Sequence, residues 1–246
     1  MRIKLFLISV LMLVSASSFA QFTQGNGKLS RNSENGWKSF YVQYNNIGLD
    51  YSFKEAMYQK EWDEVGLKDK MSAISIGYGK ATPLSSSLPL FIKYGGGLQY
   101  SWYSCKSTVD EYYGTTYYDV KLSLLSIKAP VGLAYLYTIP NSEFSIEPSA
   151  GLYVRVNVYG NVNAKESYSS DHYNSYKDSF ELNMLKDKDC NGEAASIFQV
   201  GCHIGFNISY ANFFIGISYN KDLSKIYDGY ASVKLNTMSV TAGIRF

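Results

Sequence analysis

The chain has 246 residues, 23 basic and 21 acidic, for a formal net charge of +2. That balance lacks the basic excess a nucleic-acid-binding protein carries, so nucleic acid is excluded as a partner. Tyrosine is the outlying residue type, 23 in number, and it favours strands and membrane–water interfaces.

The chain opens MRIKLFLISVLMLVSASSFA. Arg2 and Lys4 precede an apolar run from Leu5 to Val14, and Ser18-Phe19-Ala20 has the small-x-small form of a signal-peptidase site. Residues 1–20 therefore read as a signal peptide; the run is too short for a transmembrane helix, which needs ~20 apolar residues. No Cys follows the cut, so no lipid anchor is expected. Without Arg2 and Lys4 the basic residues fall to 21, equal to the acidic ones. Residues 21–36, QFTQGNGKLSRNSENG, contain almost nothing to bury and read as a flexible periplasmic leader. Residues 37–246 form the remaining domain, with no Pro- or Gly-rich linker and no fixed-period repeat.

From Trp37 onward the hydrophobic period is 2. SFYVQYN sets Phe40, Val42 and Tyr44 against Tyr41, Gln43 and Asn45. SAISIGYGK sets Ile74, Ile76 and Tyr78 against Ala73, Ser75, Gly77 and Gly79. LFIKYGGGLQYSW sets Leu90, Ile92, Tyr94, Leu98, Tyr100 and Trp102 against Lys93, Gly95, Gly97, Gln99 and Ser101. VKLSLLSIKAPVGLAYLY departs: its apolar phase runs Val120, Leu122, Leu124, then jumps to Leu125, Ile127, Ala129, Val131, Leu133, Tyr135 and Tyr137. A one-residue slip turns every side chain over, so a β-bulge near Leu124-Leu125 is expected to restore the facing. FSIEPSAGLYVRVNVYG alternates from Phe144 to Tyr159, and IFQVGCHIGFNISY and FFIGISYN follow suit. The last strand, MSVTAGIRF, places Met238, Val240, Ala242, Ile244 and Phe246 on one face. That makes eight strands.

Connections alternate in length. Those at 81–89, 139–142 and 211–212 are short; those at 50–70, 107–118, 165–193 and 224–230 are mostly longer and rich in charge, Tyr and Ser. Short turns on one side and long loops on the other suit an outer-membrane barrel. A soluble barrel or sandwich also alternates, with its apolar face inward. The polar face here is rich in Gly, Ser, Thr, Asn and Gln with few Lys or Glu, which suits a narrow lumen better than a solvated exterior. The fold expected is all-β: an eight-stranded antiparallel up-and-down transmembrane β-barrel, apolar face outward, lumen polar.

The signal peptide, the alternating strands and the terminal strand ending in Phe246 resemble the small outer-membrane β-barrel domain family of Gram-negative bacteria, a porin-like, OmpA/OmpX-like group. The segment LLSIKAPVGLAYLY is similar to that family's Leu-x-Ile-Pro-x-x-Leu strand, departing from it at Ala129 before Pro130. The resemblance implies outer-membrane localisation and contact with outer-membrane lipids. It also implies that Met238, Val240, Ala242, Ile244 and Phe246 form the signal read by the outer-membrane assembly machinery. It fixes fold and compartment better than activity.

Six charged or titratable residues are expected in the lumen: Lys93, Lys128, Glu147, Arg155, His203 and Arg245. Buried charges must be paired or wet. Lys93, Glu147 and Arg245 lie near periplasmic strand ends and could close the barrel base, while Lys128, Arg155 and His203 lie higher and leave a positive excess. A salt-bridge plug and a narrow, anion-leaning channel for ions or small solutes both fit this set. An enzyme would need a His beside a Ser or acidic partner; His203 points inward and His172 sits in a polar loop, so no enzyme is expected. Cys202 faces lipid, and Cys105 and Cys190 could pair in an oxidising compartment. No Cys/His spacing suits zinc, and DKDCNGE lacks an EF-hand ligand series, so neither metal nor cofactor is expected. The loops carrying EYYGTTYYD and SYSSDHYNSY offer an adaptable surface for an extracellular ligand, or are simply solvated. The role expected is structural or surface-interacting, with a side-chain-plugged lumen.

If the terminal strand is the closing strand, deleting Phe246 should lower outer-membrane insertion more than deleting any one loop. Fractionation of cells expressing each variant measures this, and normal assembly without Phe246 would refute it.

Overall fold

The computed structural model describes residues 36–66, 68–85, 88–170, 174–188 and 193–246. The expected signal peptide, and the leader apart from Gly36, lie outside these residues, as do His172 and Cys190. Strand β1 is Trp37–Phe53, β2 Lys70–Pro83, β3 Leu90–Glu111, β4 Gly114–Tyr135, β5 Tyr137–Thr138 and β6 Phe144–Ser169. Then come β7 Tyr176–Asn183, β8 Phe198–Tyr210, β9 Phe213–Asp222, β10 Tyr227–Asp228 and β11 Ala231–Arg245; one helix, α1, spans Ala56–Val65.

Eight strands form a closed antiparallel ring in the order β1-β2-β3-β4-β6-β8-β9-β11, and β11 pairs back onto β1. That seam runs from Ser39↔Arg245 to Phe53↔Ala231. It is finished by two backbone bonds, Lys38 N–H to Phe246 O at 2.9 Å and Phe246 N–H to Lys38 O at 3.0 Å. Strand β5 carries on the pairing of β4 along β6. The short turns include the two-residue Ala211-Asn212 connection, where Ala211 sits at φ 50°, the left-handed conformation that primed hairpin turns use.

Facing is decided by one neighbouring pair: Val154 is 44% exposed and Arg155 1%. The aliphatic face is the outer one. Along β4 the outward apolar residues run from Leu125 to Tyr135. Ten residue steps at ~3.4 Å, tilted by ~45°, span roughly 24 Å, the height of a hydrocarbon band. A closed ring with such an exterior leaves no backbone edge to lipid.

A bulge lies at the expected level, but its extra residue is in the partner strand. Strand β4 pairs with β3 in one unbroken register from Leu90↔Tyr135 to Glu111↔Gly114. The shift lies in the β4–β6 ladder between Leu125 and Ser126, where Leu125 faces Tyr159 and Ser126 faces Asn157. The extra residue is thus Val158 of β6. In β4 the jump in apolar phase is real: Val120, Leu122 and Leu124 point inward and Leu125 outward.

The same inversion occurs in β11 and β1, elsewhere in the ring. In β11, Ala231, Val233 and Leu235 point inward, followed on the same face by Thr237, Ser239 and Thr241. In β1, the inner face changes from Ser39, Gln43 and Asn45 to Ile47, Leu49 and Tyr51. Beyond the hydrocarbon band the strands continue into water, where the apolar face must turn inside. The upper core collects Ile47, Met71, Ala73, Tyr103, Cys105, Leu124, Ile226, Val233 and Leu235. The regions expected as loops at 107–118 and 165–193 are accordingly strand for much of their length. Their polar residues face water, as Ser104, Lys106, Thr108 and Asp110 do on β3. The wall above the band is completed by backbone bonds from Ala195 N–H to Met184 O (2.7 Å), Ser196 N–H to Ile226 O (2.7 Å) and Ile226 N–H to Val233 O (2.8 Å).

Three substitutions on β11 separate the two solvents. Val240→Lys, at an outward position 60% exposed, should cost ~2–4 kcal/mol in a bilayer. Asn236→Lys, outward but above the band, should cost under ~1 kcal/mol. Leu235→Ala, in the upper core, should cost ~2–5 kcal/mol. Denaturant titration in lipid vesicles measures all three; equal penalties for Val240→Lys and Asn236→Lys would place the water boundary wrongly.

Candidate functional site

Inward-facing residues fill the lumen in layers. At the base, Ala81, Phe91 and Leu136 are buried with Trp37 packed against them; the Trp37 and Phe91 rings lie 4.6 Å apart at 59°. Above this apolar floor stands Glu147, from the first turns of β6 inward by phase. Its Oε1 accepts from Lys93 Nζ at 2.5 Å and Asn207 Nδ2 at 2.9 Å, and its Oε2 accepts from Arg245 Nη2. Arg245 also donates to Ser209 Oγ at 2.9 Å and lies over the Trp37 and Phe214 rings. One carboxylate thereby ties β3, β6, β8 and β11 together across the barrel.

Arg155 stands eight residues up β6 from Glu147, about 27 Å along the strand, and belongs to a second layer. Its Nη1 donates to Asp222 Oδ2 at 2.9 Å and Gln199 Oε1 at 3.0 Å. The Tyr153 hydroxyl donates to Asp222 Oδ1. Gly201 is the residue against which the Tyr153 ring lies; a Cβ there would collide with the phenol. Both ends of the Arg155–Asp222 pair are out of solvent, which requires that each carboxylate oxygen be engaged, as they are.

Between the layers lie Lys128 and His203. Lys128 donates to Asn220 Oδ1 at 2.6 Å and sits 4.1 Å from the Tyr153 ring centroid. His203 Nδ1 is buried with no hydrogen-bond partner among the described residues. A cavity of about 130 Å³ opens here, lined by Lys93, Lys128, His203, Gln43, Asn207 and Thr241 among others. Higher still, Asn220, Ser239, Asn45 and Ser75 form a chain of side-chain hydrogen bonds at 3.4, 2.7 and 2.7 Å, directly beneath the upper apolar core.

The six expected lumen residues are therefore split. Lys93, Glu147 and Arg245 meet at the base, Arg155 stands apart, and Lys128 and His203 line the space between. Asp222 and Tyr153 are not among these six, although Tyr153 shares the inward phase of Glu147 and Arg155. Extending the inward phase of β9 two residues past Asn220 finds Asp222; nothing in the sequence pairs Tyr153 with it. Cys105 lies in the upper core, and its expected partner Cys190 is outside the described residues. Among the described residues no group of three His, Cys, Asp or Glu is placed to hold a metal.

The outer rim carries the aromatics. Tyr112 and Tyr113 form the tip of the β3–β4 hairpin, with ring centroids 4.6 Å apart, edge to face. Tyr117, Tyr168 and Tyr176 border a cleft of about 370 Å³. Tyr176 donates to Glu166 at 2.6 Å, and this bond to a carboxylate pushes its hydroxyl up to about 12. Near β10, the Ser232 hydroxyl and Lys225 hold the Asp228 carboxyl down at about 2.

No family model matches the chain, and no curated protein matches it. Several solved structures are similar. Ail, the attachment invasion locus protein of Yersinia pestis, is 14% identical with a TM-score of 0.40, over 86% of this chain and 99% of that one. Neisserial surface protein A is 14% identical with a TM-score of 0.32, over 84% and 97%. The outer membrane protein OprG from Pseudomonas aeruginosa is 9% identical with a TM-score of 0.39, over 86% and 96%. Likeness this distant carries no functional argument. On its closed eight-strand ring and apolar exterior, the chain is an outer-membrane β-barrel.

Proposed function

We propose that this barrel has a structural or surface-interaction role and a lumen plugged by side chains. The observation carrying the reading is the upper core: Ile47, Leu124 and Leu235, from three different strands, are each no more than 1% exposed. An apolar stopper of that kind admits neither ions nor water. The charge layers beneath it add two further obstructions. Interaction with an extracellular ligand is supported by the hairpin tip, where Tyr112 is 91% exposed, and by the tyrosine-bordered cleft. Rigid aromatic side chains give large contact area at small entropic cost. The assembly machinery and outer-membrane lipids remain the proposed partners of β11 and of the exterior. No enzyme is proposed: the His203 ring faces the lumen, 6.5 Å from that of Tyr153, away from any lipid substrate.

A narrow, anion-leaning channel is the second reading, favoured by the cavity between Lys93 and Lys128. Planar-bilayer recording separates the two. The plugged barrel should give no unitary current steps, and Glu147→Ala should remain silent because the upper core still blocks the path. Sustained steps from the unaltered protein would overturn the plug and favour the channel.

A further inference from the structure

We infer that the lumen cavity is a binding site for a small inorganic anion, a halide or a compact oxyanion, held between Lys93, Lys128 and His203. This goes beyond the plugged-lumen reading, because occupancy is read from stability and diffraction, not from current.

Charge carries the argument first. Among the described residues within the membrane band, the inward-facing cations are Lys93, Lys128, Arg155 and Arg245, and the inward-facing carboxylates are Glu147 and Asp222. Both carboxylates are already committed. Glu147 serves Lys93, Arg245 and Asn207, and Asp222 serves Arg155 and Tyr153. Two positive charges are left without a counter-charge in a space walled by lipid, where an unpaired charge is costly.

Geometry then locates the deficit. Lys128 is paired directly across the ladder with Arg155, and like charges so placed repel. Among the described residues Lys128 forms no ion pair; a neutral amide oxygen and the Tyr153 ring are its partners. Its ammonium still has donor capacity. His203, two strands over on β8, leaves Nδ1 without a partner among the described residues, and that nitrogen can carry the proton and donate it. No carboxylate is among the residues lining the cavity, while amides and hydroxyls from Gln43, Asn207 and Thr241 supply neutral donors. A cavity of about 130 Å³ accommodates a small anion together with water. The Lys93 side chain, 30% exposed, lines the lower end of the cavity.

The test uses the refolded, purified barrel in detergent. Thermal unfolding is followed in sodium gluconate, whose six-carbon chain is too large to enter, and in sodium chloride, bromide or phosphate at the same ionic strength. A ligand that binds the folded state alone raises the midpoint. The expected rise is about 3–5 °C for at least one of the small anions, and its loss in Lys128→Met, which removes the charge at nearly constant volume. A rise with phosphate as well as the halides means the site accepts oxyanions. Identical midpoints in all four salts, or an equal rise in Lys128→Met, would overturn the inference. Should Lys128→Met fail to fold, crystals of the unaltered protein grown in bromide decide it: an anomalous peak against Lys128 Nζ and His203 supports the site, and an empty cavity refutes it.

Discussion

Hydrocarbon gives a backbone amide nothing to bond to, so a strand inside a bilayer must have a neighbour on each side. Everything else in this molecule follows from meeting that demand at the β1–β11 seam. The seam joins the two segments farthest apart in sequence, the kind of contact that closes late and slowly. Its two terminal bonds, between Lys38 and Phe246, bring the ladder to the last residue, and Arg245 ties it to Glu147 on the far wall. A single carboxylate thus couples seam closure to the filling of the lumen. Removing it would take from Lys93 and Arg245 the carboxylate they share in the lumen, and breaking such a pair costs more than forming it gains.

The second constraint is that these strands cross two solvents. A pleated strand keeps period 2 wherever it runs, but the face that must be apolar depends on what lies outside. In lipid it is the outer face; above the headgroups it is the inner one. Strand β11 makes the change within a few residues, from Leu235 inward to Met238 outward. Strand β6 makes it with the extra residue Val158, so that Val158 and Tyr159 both face out before Gly160, Val162 and Ala164 turn in. In β6 the bulge lets the alternation of the sequence continue while the environment changes. In β4 there is no bulge, and the alternation itself shifts. These are two sequence solutions to one physical boundary, lying side by side.

That boundary explains what the sequence made legible. The eight membrane strands are plain because both faces are constrained: lipid demands aliphatic residues outside and the narrow lumen demands small or polar ones within. Above the band, Ser104, Lys106, Thr108 and Asp110 alternate with Tyr103, Cys105, Ser107 and Val109, and the charge that marks a solvated strand reads equally well as loop. The jump at Leu124-Leu125 was visible, but a bulge and a change of solvent leave the same trace in one strand. Only comparison with other strands, where Leu235 of β11 and Ile47 of β1 make the same change, tells them apart. In the lumen, the charged residues announced themselves by type, and their grouping did not. Glu147 and Arg155 share a face of β6 yet belong to different layers, because strand rise separates them by far more than an ion pair spans.

Closure of a narrow tube depends on what water can wet. A charged layer is wettable: a carboxylate that lets go of an ammonium can take up water in its place, and a transient file of water can conduct. An apolar layer offers no such exchange, since opening it costs the burial of every side chain in it at once, on the order of 2 kcal/mol for each large aliphatic residue. The salt bridges at the base and at Arg155 are better understood as devices that hold strands in register across the lumen, consistent with the weak net stability that buried pairs supply. In the plugged-lumen reading proposed for this barrel, the seal falls to Ile47, Leu124 and Leu235, which owe their inward position to the fact that water, not lipid, surrounds the upper half of the barrel.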